Sequence, residues 1–167
     1  MHDLGQFVNS NSGSTNIGFI YNTFGIKTES LIVGDNFGCF SLPFSITPPV
    51  QVYTNPSIVS LTTDTICDNI PTTFEFNAFN GSDTNLTYTW DYGDLQTSDS
   101  SNSPHQHEYL NCNTYIVSLT IEDGNDCQDD DVTNAIVRCN PLADFFTENE
   151  CLGDSVEFLN QTNLVTG

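Results

Sequence analysis

Three groups of residues carry side chains whose type and spacing could do chemistry. His105 and His107 stand two apart, which puts both on one face of a strand, where H-x-H can hold a metal. Asp91 and Asp94 could act as acid or base. Asp123, Asn125, Asp126 and Asp129-Asp130-Asp131 crowd oxygen donors into one short run. Calcium takes about six to eight oxygens at set spacing, and this run lacks the glycine and distal glutamate of a helix-loop-helix calcium loop. Calcium near Asp123–Asp131 is therefore the only cofactor the chain offers a place for, and a solvated acidic hairpin is the favoured reading. Asp91 and Asp94 have no evident acid–base partner, and neither G-x-S-x-G nor a Cys–His arrangement occurs. No catalytic, cofactor-binding or metal residue is assigned, and the chain is expected not to be an enzyme.

Charge narrows the partners. The 167 residues carry a net charge of −20, with Lys27 and Arg138 the only strongly basic residues. Such a surface repels phosphates and has almost no cations with which to release counterions, which argues against nucleic acid and anionic membrane. No apolar run is long enough to cross a bilayer, so direct membrane insertion is not expected. Met1-His2-Asp3-Leu4-Gly5-Gln6 has neither the basic region nor the apolar core of a signal peptide.

The chain also matches itself. At a distance of 88 residues (Cys39 to Cys127), Asp3-Leu4-Gly5 meets Asp91-Tyr92-Gly93, Tyr21 meets Tyr109, Ser30-Leu31 meets Ser118-Leu119, and Asp35 meets Asp123. A second echo relates Pro56, Cys67 and Phe76 to Pro141, Cys151 and Phe158. Self-similarity of this kind marks repeat architecture. It divides the chain into the rear of one repeat (1–52), a whole repeat (53–139) and the front of a third (140–167). Both ends then fall inside repeats and are expected to be cuts. Neighbouring repeats of the same chain are the expected partners.

Six cysteines without C-x-x-C spacing point to disulfides in an oxidising compartment rather than to zinc. Cys39 and Cys127 correspond, as do Cys67 and Cys151. Cys112 and Cys139 have no counterparts, since Phe24 and Gln51 take those places. Two extras confined to one repeat suggest a Cys112–Cys139 bond, leaving Cys67 with Cys127. Loop closure then gives about 3.5 and about 4 kcal/mol. Yet Cys67 and Cys127 fall near opposite ends of a simple sandwich, and bonded Cα atoms must lie within about 7 Å. Cys67 with Cys112, and Cys127 with Cys139, is the competing arrangement.

The elements that must position these residues are strands. Phe74, Phe76 and Ala78 alternate with polar residues, as do Leu86, Tyr88 and Trp90, and Val117, Leu119 and Ile121. Strands are predicted near 57–63, 72–79, 86–92, 106–110, 114–122 and 131–138, with a short one near 95–98. Turn clusters such as Asn80-Gly81-Ser82-Asp83 separate them, and Gln96–Pro104 reads as a solvated loop. The pattern is that of an antiparallel β-sandwich. Proline-bearing joints follow Thr47 and Arg138, stiff enough to make a semi-rigid rod.

Tyr88-Thr89-Trp90-Asp91-Tyr92-Gly93-Asp94, then Pro104, His107-x-Tyr109 and Tyr115-x-Val117-x-Leu119, resembles the polycystic-kidney-disease (PKD) domain. That family carries a W-D-F-G-D turn, P-x-H-x-Y and Y-x-V-x-L-x-V. Tyr92 replaces the phenylalanine, one extra residue separates Pro104 from His107, and the glycine before the last strand is missing near Asn113. The resemblance covers 56–138 and implies tandem immunoglobulin-like sandwiches, one complete and two partial, in a secreted or cell-surface protein. The placing of the repeat cysteines looks most like large secreted surface proteins of Bacteroidota. The motif residues read as structural: Trp90 in the core, Asp91 capping backbone donors, Gly93 at positive φ, and His107 and Tyr109 in a hydrogen-bonded turn. The implied function is a non-catalytic extracellular spacer or adhesion element, meeting surface glycans or proteins. The alternative is an accessory PKD domain of an extracellular hydrolase such as a protease or chitinase.

Overall fold

The computed structural model describes residues 19–162. The chain divides into two compact units, Met1–Thr54 and Asn55–Gly167. Strands β1 (Gly25–Lys27), β2 (Ser30–Leu31), β3 (Phe44–Ser45) and β4 (Val50–Val52) make one long hairpin in the first unit. There β1 pairs with β4 and β2 with β3, and Gly34 bridges Phe40 near the turn. A hairpin alone buries little, and Phe24, Ile26, Leu31 and Val33 are exposed.

The second unit holds β5 (Ser57–Thr63), β6 (Thr65–Cys67), β7 (Thr72–Phe79), β8 (Thr87–Asp91), β9 (Thr97–Ser98), β10 (His105–His107), β11 (Asn113–Glu122), β12 (Gln128–Arg138), β13 (Phe145–Thr147) and β14 (Phe158–Asn160). One sheet has the order β10-β7-β5, and a second has the order β6-β12-β11-β8-β9. The described residues are all-β, and the two sheets form a sandwich. The chain changes sheet at Asp64, whose carboxylate accepts the Thr73 N–H at 2.9 Å. Past that point β6 runs parallel to β12, while the other ladders are antiparallel.

Period-two alternation fills the space between the sheets. Val117, Leu119 and Ile121 of β11 are wholly buried, and Leu119 lies opposite Trp90. Ala135 and Val137 extend this face along β12, and Phe74 comes from the other sheet. Phe74 packs against both Trp90 and Tyr92, with ring centroids 5.7 and 5.6 Å away. Large aromatics of this kind supply much of a small core's burial.

Three features differ from the sequence reading. The short β6 carries no alternation long enough to announce it. β12 begins at Gln128 rather than 131, because Ile121 pairs with Asp129 and Leu119 with Asp131. The aspartates are thus strand residues, and Asp129 reaches the opposite sheet to accept the Ile58 N–H at 2.8 Å. Finally, the 96–104 loop is tied down: Ser100 O accepts from Trp90 Nε1, and Ser103 Oγ both accepts from and donates to the Phe76 backbone.

Gly93 and Gly124 make a paired test of backbone constraint. Gly93 has φ +75°, and an added Cβ would strike the Ile116 carbonyl oxygen, which β11 holds in place. At Gly124 the obstacle is only the Asp83 side chain, 2.7 Å away and able to swing aside. Gly93→Ala should destabilise the domain by at least about 2 kcal/mol, and Gly124→Ala by less than about 1 kcal/mol, in urea unfolding. Equal losses would contradict the assignment.

Candidate functional site

The motif gathers at the far end of β8. Beyond Trp90 the chain turns tightly: Asp91 Oδ1 accepts the Gly93 N–H at 2.9 Å, Asp94 Oδ1 accepts the Gln96 N–H at 3.0 Å, and Tyr92 N–H donates to Gln96 O. Asp94 Oδ2 lies 2.8 Å from His107 Nε2 and also accepts from the Gln96 side-chain amide at 3.3 Å. The His107 ring stacks on Tyr92 at 3.8 Å between centroids and meets Tyr109 edge-on at 4.7 Å. Buried Tyr109 donates its hydroxyl to Tyr92 O at 3.0 Å. Tyr92 OH in turn shares a hydrogen bond with His105 Nε2 at 3.0 Å.

The electrostatics follow from burial. Burial holds His105 below the ordinary 6.5 of a histidine, against the pull of the Asn102 backbone and with help from nearby His107. Tyr109 is pushed far up, first by burial and then by the Asp94 charge. Both imidazole Nε2 atoms are committed, one to Tyr92 and the other to Asp94. Among the described residues no three His, Cys, Asp or Glu side chains converge as metal ligands would.

The structure joins Cys112 to Cys139, with Cα atoms 4.9 Å apart. This bond closes the open end of the β11–β12 hairpin, next to the Asn113–Val137 pair. Cys67 and Cys127 do not pair, contrary to the expected bond between them, and the competing Cys67–Cys112 and Cys127–Cys139 bonds are not formed either. Cys67 lies opposite Arg138, the last residue of β12, whereas Cys127 precedes its first. The 11 residues of β12 therefore separate them, roughly 35 Å of extended strand.

The Asp123 turn uses its acid locally. Asp123 is only 5% exposed, and its Oδ1 accepts the N–H groups of Asn125 at 2.8 Å and Cys127 at 3.1 Å. The Asp123 N–H reaches Cys127 O, and Asp126 sits at φ +60°. Residues 35–39 have the same geometry: Asp35 Oδ1 accepts from Phe37 and Cys39, Asp35 N–H reaches Cys39 O, and Gly38 is at φ +87°. A second correspondence lies in strand pairing. Leu61 pairs with Phe76 and Thr63 with Phe74, while Phe145 pairs with Asn160 and Thr147 with Phe158. The offset is 84 throughout (61 to 145, 74 to 158), so Phe158 answers to Phe74 rather than to the Phe76 of the sequence echo, because the strand register and not the spacing from cysteine sets the match.

Sequence reasoning placed the motif aromatics but did not anticipate Asp64, Ser100, Ser103 or Asp129, whose partners lie on distant segments. Asp3-Leu4-Gly5, the motif's echo, lies outside the described residues.

A two-sheet β-sandwich with a structural turn at this place defines an immunoglobulin-like module. The family model "PKD domain" matches residues 53–137, just over half of the chain, and the chain belongs to that family. PKD domains are generally non-catalytic modules typical of extracellular proteins. The chain is similar to the PKD1 domain of Vibrio anguillarum Epp, at 21% identity and a TM-score of 0.43, over 53% of this chain and 99% of that one. It is also similar to the PKD domain of the human VPS10 domain-containing receptor SorCS2, at 15% identity and a TM-score of 0.41, over 78% and 96% of the two chains. No curated protein matches the chain.

The lowered His105 value has a consequence for stability. The unfolded chain binds a proton below about pH 6.5 more readily than the folded one, so this contribution is complete above that pH and is lost as pH falls below it. The melting temperature should drop between about pH 7.5 and about pH 5.5. His105→Gln should flatten that slope; an unchanged slope would show that other groups set it.

Proposed function

We propose that the chain is a stretch of tandem PKD repeats serving as a non-catalytic spacer in a large secreted or cell-surface protein. The observation that carries this reading is the placement of the ends of the complete repeat. The chain comes in at buried Pro56 and is fastened by the Ile58–Asp129 bond at the start of β12. It leaves at the other end of β12, where Asp68 N–H donates to Arg138 O and Asp68 Oδ1 accepts the Asn140 N–H. Between these two points the domain advances the chain by a full strand length rather than folding it back. The recurring Asp-capped turn and the recurring strand register support the tandem reading, as do the exposed apolar side chains of the flanking segments.

The surface fits a spacer. With almost no cations to offset its carboxylates, the repeat repels its own kind and stays dispersed. Neighbouring repeats are its first partners, and surface glycans or proteins would meet it from outside. The repeat echoes favour this reading over that of an accessory domain attached to an extracellular hydrolase.

Stretching the protein between its ends tests the reading. The complete repeat should release in one discrete step, because the sheets share one core. Reduction of Cys112–Cys139 should lengthen that release by about 90 Å, the 27 residue steps it spans at about 3.5 Å each less the 4.9 Å already between its Cα atoms. Gradual extension at low force would sink the spacer role. A hydrolase domain adjoining the repeats in the same polypeptide would favour the alternative.

A further inference from the structure

Cys67 and Cys127 occupy opposite ends of the complete repeat, and both positions recur. Cys127 adjoins Gln128 and Asp129, where the chain comes in and Asp129 holds Ile58. Cys67 is exposed and lies opposite Arg138, where the chain goes out. Its neighbour Asp68 binds the outgoing backbone at Arg138 and Asn140. Cys39 takes the Cys127 place in the same Asp-capped turn, and Cys151 follows β13 as Cys67 follows β5.

We infer that these cysteines couple successive repeats end to end: the Cys67 of one repeat bonds the cysteine at the Cys127 place in the repeat that follows. The inference rests on the tandem reading above. Within a repeat the two thiols are roughly 35 Å apart along β12, beyond any disulfide. Across a junction the distance is far smaller. By the 84-residue offset, the counterpart of Ile58 is Leu142 (58 to 142). Only four residues of chain run from Arg138 to Leu142, at most about 14 Å. The two thiols flank these two points.

The pattern also accounts for which cysteines stand unbonded. Cys39 and Cys127 are of one kind, and Cys67 and Cys151 of the other. By the same pattern the complement of Cys67 is the turn cysteine of the repeat that follows. All four are unbonded, whereas Cys112 and Cys139 are joined. Forming each coupling bond removes two protons and two electrons from two thiols. A small-molecule or protein disulfide accepts them and leaves as two thiols.

The mature polypeptide, alkylated without reduction, digested and mapped by mass spectrometry, tests this directly. The expected product is the Cys67 peptide cross-linked to the turn peptide of the next repeat, beside an intact Cys112–Cys139 link. Cys67→Ser should free one alkylatable thiol, at that next turn, and leave Cys112–Cys139 in place. A bond from Cys67 to Cys127 of the same repeat, to Cys112 or to Cys139 would overturn the inference, and so would alkylation of both thiols in the unreduced protein. A mature polypeptide without further repeats would remove the tandem reading and the coupling together.

Discussion

The PKD domain depends on how one indole is held between two sheets. Trp90 is fully buried opposite Leu119 and touches Phe74 and Phe76 of the other sheet. Its ring nitrogen would be an unsatisfied donor in that setting, and leaving such a group unpaired costs about 1–3 kcal/mol. The Ser100 carbonyl removes the penalty, but only if the polar loop comes back over the end of the sandwich. A core residue thus dictates the course of a loop whose own composition specifies nothing. Ser103 completes the fastening by bonding both ways to Phe76, on the strand that packs against the indole.

The same economy explains why residues of catalytic type do structural work here. Past Trp90 the chain must reverse within a few residues while its backbone lies against Ile116. Glycine at position 93 permits the approach, and Asp91 and Asp94 satisfy N–H groups that the turn leaves without strand partners. The second Asp94 oxygen meets His107 and the Gln96 side-chain amide. An aspartate–histidine pair often signals proton transfer, but here Tyr92 stacks on one face of the imidazole and the neighbouring tyrosines complete the packing. The pair fixes the angle between the β8 turn and the β10 segment.

Legibility in the sequence tracked the range of the interaction. Alternation at 72–79 and 114–122 marked strands because each residue's burial follows from its neighbours. The position of Trp90 followed from parity with Leu86 and Tyr88, and the left-handed turn from Asp-Tyr-Gly. Asp64, Asp129 and β6 were illegible for one reason: their roles come from segments 9, 71 and about 70 residues away. A run of three aspartates reads as a solvated turn until a facing backbone N–H is supplied. Repetition identified the recurring cysteines, yet it carried no record of which end of the sandwich each one occupied. That required the register of β6 on β12.

Once those ends are known, the two ends of the domain prove to be secured by different means. A sandwich of this size has a modest core, so its margin against fraying is small. Fraying should begin where the ladder is open, at the ends of β11 and β12 away from their turn. The Cys112–Cys139 bond sits at that point, reinforced by the Asp68 contacts to Arg138 and Asn140. At the opposite end the chain needs no covalent lock, since the hairpin is continuous there and Asp129 grips the incoming strand. The covalent part of internal stability thus rests on one pair of cysteines, whereas Cys67 is exposed and the Cys127 thiol makes only a long contact to Asn125 O within its own turn. The disulfide therefore guards the end of the sandwich where the ladder is open, and backbone continuity with Asp129 guards the other.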